Sequence, residues 1–351
     1  MGEEDIENNI EKVEFEKPES EEENPLDSGH MEKTILEIPL QIKAGYDLGK
    51  DIKIEGTFNR IIICGMGGSC IPGDLLRIYL HDSNIPIETF RDYSLPNYID
   101  KNTLVFCISY SGNTEETLSM FKEAMRRGCK TVCICSGARL EKLAETHRTP
   151  LIKVPSGLQP RAAVIYQFFP LIRILENNGL IPPKEKEVKN LIESLHKQDI
   201  KGLAEKLAGK LVDKIPLIYS SERFYPIAYR WKTGFNENAK IMAFSNKFSE
   251  LNHNEINGYN NLKGDFHLII LTIDDDLRRM QKRIRVTKEL IQKKGVPITE
   301  INIKGNYFLT KMFSAIQIGD LTSVYLAFKY KTDPTPVKII EDLKEKLGPY
   351  I

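Results

Sequence analysis

Ser109-Tyr110-Ser111-Gly112-Asn113-Thr114-Glu115-Glu116-Thr117 is the stretch on which the fold turns. It follows Thr103-Leu104-Val105-Phe106-Cys107-Ile108, an apolar run with the length and branching of a buried strand. It precedes Leu118-Ser119-Met120-Phe121-Lys122-Glu123-Ala124-Met125, whose apolar residues recur at helical spacing. A strand, a hydroxyl-rich turn with one glycine, then a helix is a geometry that holds a phosphate. Free backbone N–H groups and the positive end of the helix dipole face the anion. The hydroxyls of Ser109, Ser111 and Thr114 add donors, and Gly112 permits the sharp turn. The same residues would also serve an ordinary helix start capped by Thr114 or Asn113.

A second turn of this kind lies upstream. Arg60-Ile61-Ile62-Ile63-Cys64 reads as a strand, Gly65-Met66-Gly67-Gly68-Ser69 as a tight turn, and Asp74 to Leu80 as a helix. Neither the full G-x-G-x-x-G dinucleotide pattern nor the Gly-Lys-Ser/Thr of a P-loop is present. One glycine-rich and one hydroxyl-rich turn side by side suit a compact phosphomonoester better than a long cofactor.

Working outward, strand and helix patterns alternate. Residues 130–135 and 151–154 read as strands, 162–176 as a helix, and 184–212 as polar amphipathic helices linking two halves. The alternation restarts with strands at 215–220, 266–272 and 296–303 and helices at about 224–240, 275–294 and 309–330, closing with a helix to about 347. The expected fold is α/β, with two doubly wound domains, each a mostly parallel sheet flanked by helices. The expected division is 31–190, carrying the phosphate site, and 191–351. Turns at the matching places of the second half, Ser220-Ser221-Glu222 and Thr272-Ile273-Asp274, lack the glycine and hydroxyl pattern, so one phosphate site per chain is expected.

Residues 1–30 hold twelve acids and two bases, and Phe15 is their one aromatic; this segment is expected to be a disordered acidic tail or an added extension. Ser28-Gly29-His30-Met31 reads as a junction, with the folded body starting near Met31. The remaining 321 residues hold 37 acids and 47 bases, a balance of +10 that suits anionic substrates. These bases form no stripe interleaved with aromatics, so no nucleic-acid partner is expected. No apolar run approaches a membrane span and no signal peptide is visible. The six cysteines, in or near strands of the first half, suit a reducing cytoplasm, and no four-ligand metal pattern accompanies them.

Three segments carry candidate acid–base chemistry. Arg161 stands where the loop from Pro155 enters a helix, and offers a fixed positive charge. Arg230, Trp231, Glu237 and Lys240 fall close together in a helical stretch, with Glu237 flanked by Asn236 and Asn238. His253 lies among asparagines and glutamates in a segment with little periodicity, and an imidazole titrates near neutrality. Each taken alone also fits a surface arginine, a solvated helix face or a structural histidine.

The ordered set of Gly65–Ser69, Ser109–Thr117, Pro160–Ala163, Asn236–Lys240, Leu251–Glu255, Asp333–Val337 and Leu343-Lys344 resembles the bifunctional phosphoglucose/phosphomannose isomerases of the sugar isomerase (SIS) superfamily. The resemblance covers roughly residues 35–348. It implies two SIS domains and isomerisation of glucose 6-phosphate and mannose 6-phosphate to fructose 6-phosphate through a cis-enediol. It implies that Gly68, Ser69, Ser109, Ser111 and Thr114 hold the 6-phosphate, that Glu237 is the base and that Arg161 stabilises the enediolate. His253 and Lys344 would assist ring opening, with Lys338 and Lys346 close by, and Thr335 would leave room for either C2 epimer. It further implies a homodimer with His253 supplied across the interface, and no metal or organic cofactor. Two other readings share parts of this pattern: a sugar-phosphate-sensing SIS regulatory module and a single-substrate phosphosugar isomerase.

Overall fold

A computed structural model describes residues 24–348. The first half runs α1 (Met31–Leu36), α2 (Ile38–Leu48), β1 (Arg60–Cys64), α3 (Ile71–Tyr79), β2 (Ile87–Phe90), β3 (Thr103–Ile108), α4 (Glu115–Arg126), β4 (Lys130–Cys135), α5 (Ala138–Thr146), β5 (Leu151–Lys153) and α6 (Val164–Asn177). Helices α7 (Glu185–Lys197) and α8 (Ile200–Leu211) lead into the second half. There follow β6 (Ile215–Ser220), α9 (Tyr225–Glu237), β7 (Phe244–Lys247), α10 (Phe248–Leu251), β8 (Phe266–Ile273), α11 (Arg278–Gln292), β9 (Ile298–Ile303), α12 (Phe308–Lys329) and α13 (Lys338–Leu347).

All strand pairs are parallel, in the orders β2-β1-β3-β4-β5 and β7-β6-β8-β9. The two sheets are wound alike. In each, the second strand returns to the outside of the first, so the winding reverses between β1 and β3 and again between β6 and β8. Ligands of open α/β sheets bind beyond the strand ends at that reversal. Pairing of Cys64 with Cys107 at the ends of β1 and β3 therefore puts the two glycine- and hydroxyl-bearing turns next to each other.

Helices occupy the space between the sheets. Helix α12 is buried from Leu309 to Ala327, as befits a helix apolar on every side. Phe313 on α12 meets Phe168 and Phe169 of α6, with ring centroids 5.1 and 4.9 Å apart, so the two halves share one core. Trp231 on α9 packs against α12 at Gly319, where a Cβ would stand 2.3 Å from Nε1. Its indole N–H donates to the Ala315 carbonyl at 2.8 Å. That contact fixes the register of α9, whose last residue is Glu237.

The expected acidic tail falls, over residues 1–23, outside the described residues. Residues 24–30 belong to the folded body. The buried Asp27 carboxylate accepts the Met31 and Glu32 N–H groups at 2.8 and 2.9 Å and so starts α1. Edge strands β2 and β7 were not anticipated, because Ile-Glu-Thr-Phe and Phe-Ser-Asn-Lys are half-exposed and carry little of the apolar signal of the inner strands. All six cysteines are free and buried, and burial pushes Cys129 and Cys135 up to about 11. Among the described residues, no helix is long and apolar enough to cross a membrane.

Candidate active site

The two turns at the β1/β3 reversal are tied into one unit. Gly67 adopts a left-handed φ of 49° in the turn Gly67–Ser69. Ser69, 5% exposed, accepts hydrogen bonds on Oγ from the Tyr110 N–H and from Gln167 Nε2, both at 3.0 Å. With both lone pairs engaged, what Ser69 retains is its proton, and so it is a donor to an anion. Ser109 is fully buried; its hydroxyl donates to Thr114 Oγ1 at 2.9 Å and accepts the Thr114 N–H at 3.4 Å. Ser109 thus braces the turn. Ser111 is exposed, and its Oγ accepts the Asn113 N–H at 3.3 Å, again leaving a proton free. Gly112 has φ 69°, and a Cβ there would stand 1.8 Å from the Gly137 carbonyl oxygen, so no other residue fits this turn.

Helix α4 leaves the turn with Thr114 at its N-cap, and the Thr114 side chain does not satisfy the helix's own amides. The Thr117 hydroxyl, buried in the first turn of α4, finds no partner among the described residues. Free first-turn amides and the hydroxyls of Ser69, Ser111 and Thr114 are gathered at a positive helix end, an arrangement suited to gripping an anion.

A second constellation adjoins this grip. Gly68 packs on the loop carrying Arg161: a Cβ at Gly68 would stand 2.8 Å from the Pro160 oxygen and 3.0 Å from the Arg161 Cα. Arg161 is 1% exposed, and each of its N–H donors is placed. Nε donates to Asn238 Oδ1 at 2.6 Å. Nη2 donates to the carbonyls of Pro334 and Thr335 at 2.7 and 2.8 Å. Nη1 makes the two long bonds, 3.3 Å to Gln159 Oε1 and 3.4 Å to Glu237 Oε2. Nη1 is therefore the nitrogen able to turn toward a substrate. Burial lowers the proton affinity of Arg161 while the Glu237 carboxylate opposes that shift. Glu237 keeps 25% of its side chain exposed, so an incoming molecule can reach it.

Behind these groups stands a buried support. Arg230 donates to the Arg161 carbonyl at 2.6 Å and pairs with Asp320 at 2.8 Å. Asn238 Nδ2 donates to Ser323 Oγ at 2.8 Å. Lys240, left-handed at φ 59°, donates from Nζ to the Glu237 carbonyl and, at 2.9 Å, to the Pro334 carbonyl. Burial first, then the neighbouring Arg161 charge, push Lys240 down to about 8.

The fold thus brings Gly68, Ser69, Arg161, Glu237 and Thr335 to the β1/β3 crevice beside Ser111 and Thr114. Among the described residues, no hydrogen bond or ion pair ties the side chains of His253 or Lys344 to these groups. His253 is exposed on the turn after α10, and Lys344 lies on α13, none of whose residues is buried. Sequence reasoning placed Lys240 beside Glu237 without giving it a role, and passed over Asn238 and Gln167 as site residues. Gln167, a polar side chain in the apolar helix α6, and Asn238, directly after the candidate base, were the available signals.

Two family models match the chain: the SIS domain over residues 58–150 and the bacterial phospho-glucose isomerase C-terminal SIS domain over residues 200–347. The chain is 41% identical to the bifunctional phosphoglucose/phosphomannose isomerase of Caldicellulosiruptor bescii, over 91% of this chain and 99% of that one. It is 32% identical to the D-glucosamine-6-phosphate 4-epimerase of Sulfolobus acidocaldarius, over 85% and 92% of the two chains. Its fold is similar to that of the C-terminal domain of glucosamine-fructose-6-phosphate aminotransferase from Francisella tularensis, with a TM-score of 0.65 at 16% identity over 88% and 98% of the chains.

Proposed function

The chain belongs to the family of bifunctional phosphoglucose/phosphomannose isomerases, and from that premise we propose that it interconverts glucose 6-phosphate and mannose 6-phosphate with fructose 6-phosphate. The observation that carries this reading is the buried Arg161, held 3.4 Å from a solvent-reachable Glu237 and in backbone contact with the turn of the anion grip.

The phosphate binds to the protons of Ser69, Ser111 and Thr114 and to the first amides of α4, which anchors carbon 6 and positions carbons 1 and 2. Ring opening exposes the C1 carbonyl. Glu237 takes the proton from C2 and the electrons move onto O1, giving a cis-enediolate; a proton passes from the C2 hydroxyl to O1, so that the cis-enediol stage leaves O2 as the new carbonyl oxygen. Arg161 Nη1 exchanges its long bonds for the developing oxyanion. Glu237 then returns the proton to C1, giving the ketose. Glucose and mannose differ only at C2, which becomes planar in the enediol, so both aldoses reach the same intermediate. Thr335 is the residue we assign to tolerating either C2 configuration; the bond of its carbonyl to Arg161 supports that reading.

His253 and Lys344 assist ring opening, with His253 supplied by a second copy of the chain in a homodimer. Two observations support the dimer. His253 is exposed in its own chain, and α13 presents Ile339, Ile340, Leu343 and Leu347 to the outside. The buried, free cysteines fit a cytoplasmic setting. The mechanism calls on no metal or organic cofactor.

The test is fructose 6-phosphate formation from each aldose separately, with EDTA present. Comparable turnover of both is expected. Turnover of glucose 6-phosphate alone would leave a single-substrate isomerase. Activity on neither, with sugar-phosphate binding retained, would favour a sensor or an epimerase.

A further inference from the structure

The segment before α1 reaches the proposed specificity residue. The Asp27 cap locks the turn leading into α1, and His30 holds a left-handed φ of 51°. Helix α1 is fastened to α12 by Gln317 Nε2, which donates to the Ile35 carbonyl at 2.9 Å, and by Tyr325, whose hydroxyl donates to Glu32 at 2.7 Å. The arm is therefore aimed by the core. At its tip the Gly29 N–H donates to Thr335 Oγ1 at 3.0 Å. The approach is close: a Cβ on Gly29 would stand 2.5 Å from Thr335 Cγ2 and 2.6 Å from Oγ1. No other residue type fits at position 29 without moving one of them.

The Thr335 backbone is held separately. Its carbonyl accepts from Arg161 at 2.8 Å and its amide donates to Asp333 Oδ1 at 2.8 Å. The χ1 rotamer is set by what the side chain itself meets, Asp333 on one side and Gly29 on the other. Threonine carries a hydroxyl and a methyl of similar size on Cβ, so a 120° turn of χ1 exchanges a polar for an apolar group at one place in the site. The Thr335 hydroxyl also bonds the Asp333 carboxylate, and the hydrogen bond from Gly29 acts with that bond to select one of these states.

We propose that Gly29 is a positioning residue for specificity: by fixing the Thr335 rotamer, it sets the ratio at which the two C2 epimers are turned over. This rests on the reading of Thr335 as the residue that faces C2. The Gly29–Thr335 bond lies at the surface, so its effect belongs in that ratio and little of it in global stability.

The experiment measures kcat/KM for mannose 6-phosphate and for glucose 6-phosphate on one preparation each of wild type, Gly29→Ala, Thr335→Ala and the double variant. The ratio is independent of how much of a preparation is folded. Gly29→Ala should change the ratio roughly 3- to 10-fold, the span of one hydrogen bond. Thr335→Ala should change it too. In the double variant Gly29→Ala should add little, because alanine at position 335 lacks the two nearest atoms, Cγ2 and Oγ1, that a Cβ at position 29 would meet. A Gly29→Ala ratio within about twofold of wild type, with Thr335→Ala shifted, would overturn this inference and leave the reading of Thr335 standing. An undiminished Gly29→Ala effect on the Thr335→Ala background would overturn it as well. An unchanged ratio in Thr335→Ala would remove the reading of Thr335 and the inference together.

Discussion

Replacing Arg161 by lysine keeps the charge and removes the fork. Arginine makes five hydrogen bonds here from three nitrogens, directed at Asn238, Gln159, Glu237 and the carbonyls of Pro334 and Thr335. A lysine Nζ is one point on a shorter stem and cannot reach Asn238 on one side and the Thr335 carbonyl on the other. The Pro334 carbonyl still has Lys240, at 2.9 Å. Asn238 Oδ1, in a residue 1% exposed, and the Thr335 carbonyl lose their donors. Two orphaned acceptors at ~1–3 kcal/mol each give a loss of stability of ~2–6 kcal/mol, nearer the lower figure where water reaches Thr335. Activity should fall by about 10²–10³ in kcat, the scale of a lost oxyanion donor. Urea unfolding gives the first quantity and coupled detection of fructose 6-phosphate the second. If Arg161→Lys kept kcat within about threefold of wild type and unfolded at an unchanged urea concentration, the fork would have neither proposed role.

Other consequences are more quickly stated. Glu237→Gln can still accept from Arg161 but cannot take a proton, so kcat should drop about 10²–10⁴-fold while sugar-phosphate binding persists; incorporation of solvent deuterium at C2 should vanish, and retained exchange would exclude Glu237 as the base. Ser111→Ala combined with Thr114→Ala removes two of the three hydroxyl donors of the anion grip and should mainly raise KM for both aldoses; an unchanged KM would move the phosphate site elsewhere. Lys240 loses its proton near pH 8 in the folded protein, against 10.5 for an ordinary lysine. The fold disfavours its charged form, so the cost is fully present below about pH 8 and is relieved as pH rises toward 10.5. Wild type should therefore gain in melting temperature over Lys240→Met across that window and run parallel to it below; a constant difference throughout would show that Lys240 does not titrate there.

The readable parts of the fold were those in which one contiguous stretch carries the whole signal. Strands β1, β3, β4, β6 and β8 are buried and apolar, and were legible as runs. The two turns were legible because glycine and hydroxyls follow the strands directly. Helices α1 and α2 were missed, and the start of the folded body was set at Met31, because Asp27 and Gly29 show their use only against α1 and Thr335. Ser109 was expected to grip phosphate together with Ser111 and Thr114. What the sequence does not show is that Ser109 is completely buried and bonded to Thr114, so that it braces the turn.

The amino-acid sequence by itself determined the two parallel α/β halves, the anion grip and the residue types of an acid–base site, because strand burial, turn conformation and helix capping act between near neighbours. Only the tertiary structure decided which of those residues share a wall. Arg161 meets Glu237 across 76 residues of chain, Thr335 across 174, and Thr335 meets Gly29 across 306. Such pairings follow from how α9 and α12 pack around Trp231, and from an arm anchored by Asp27. Packing of that kind depends on volumes and directions in three dimensions, which no local pattern of residues encodes.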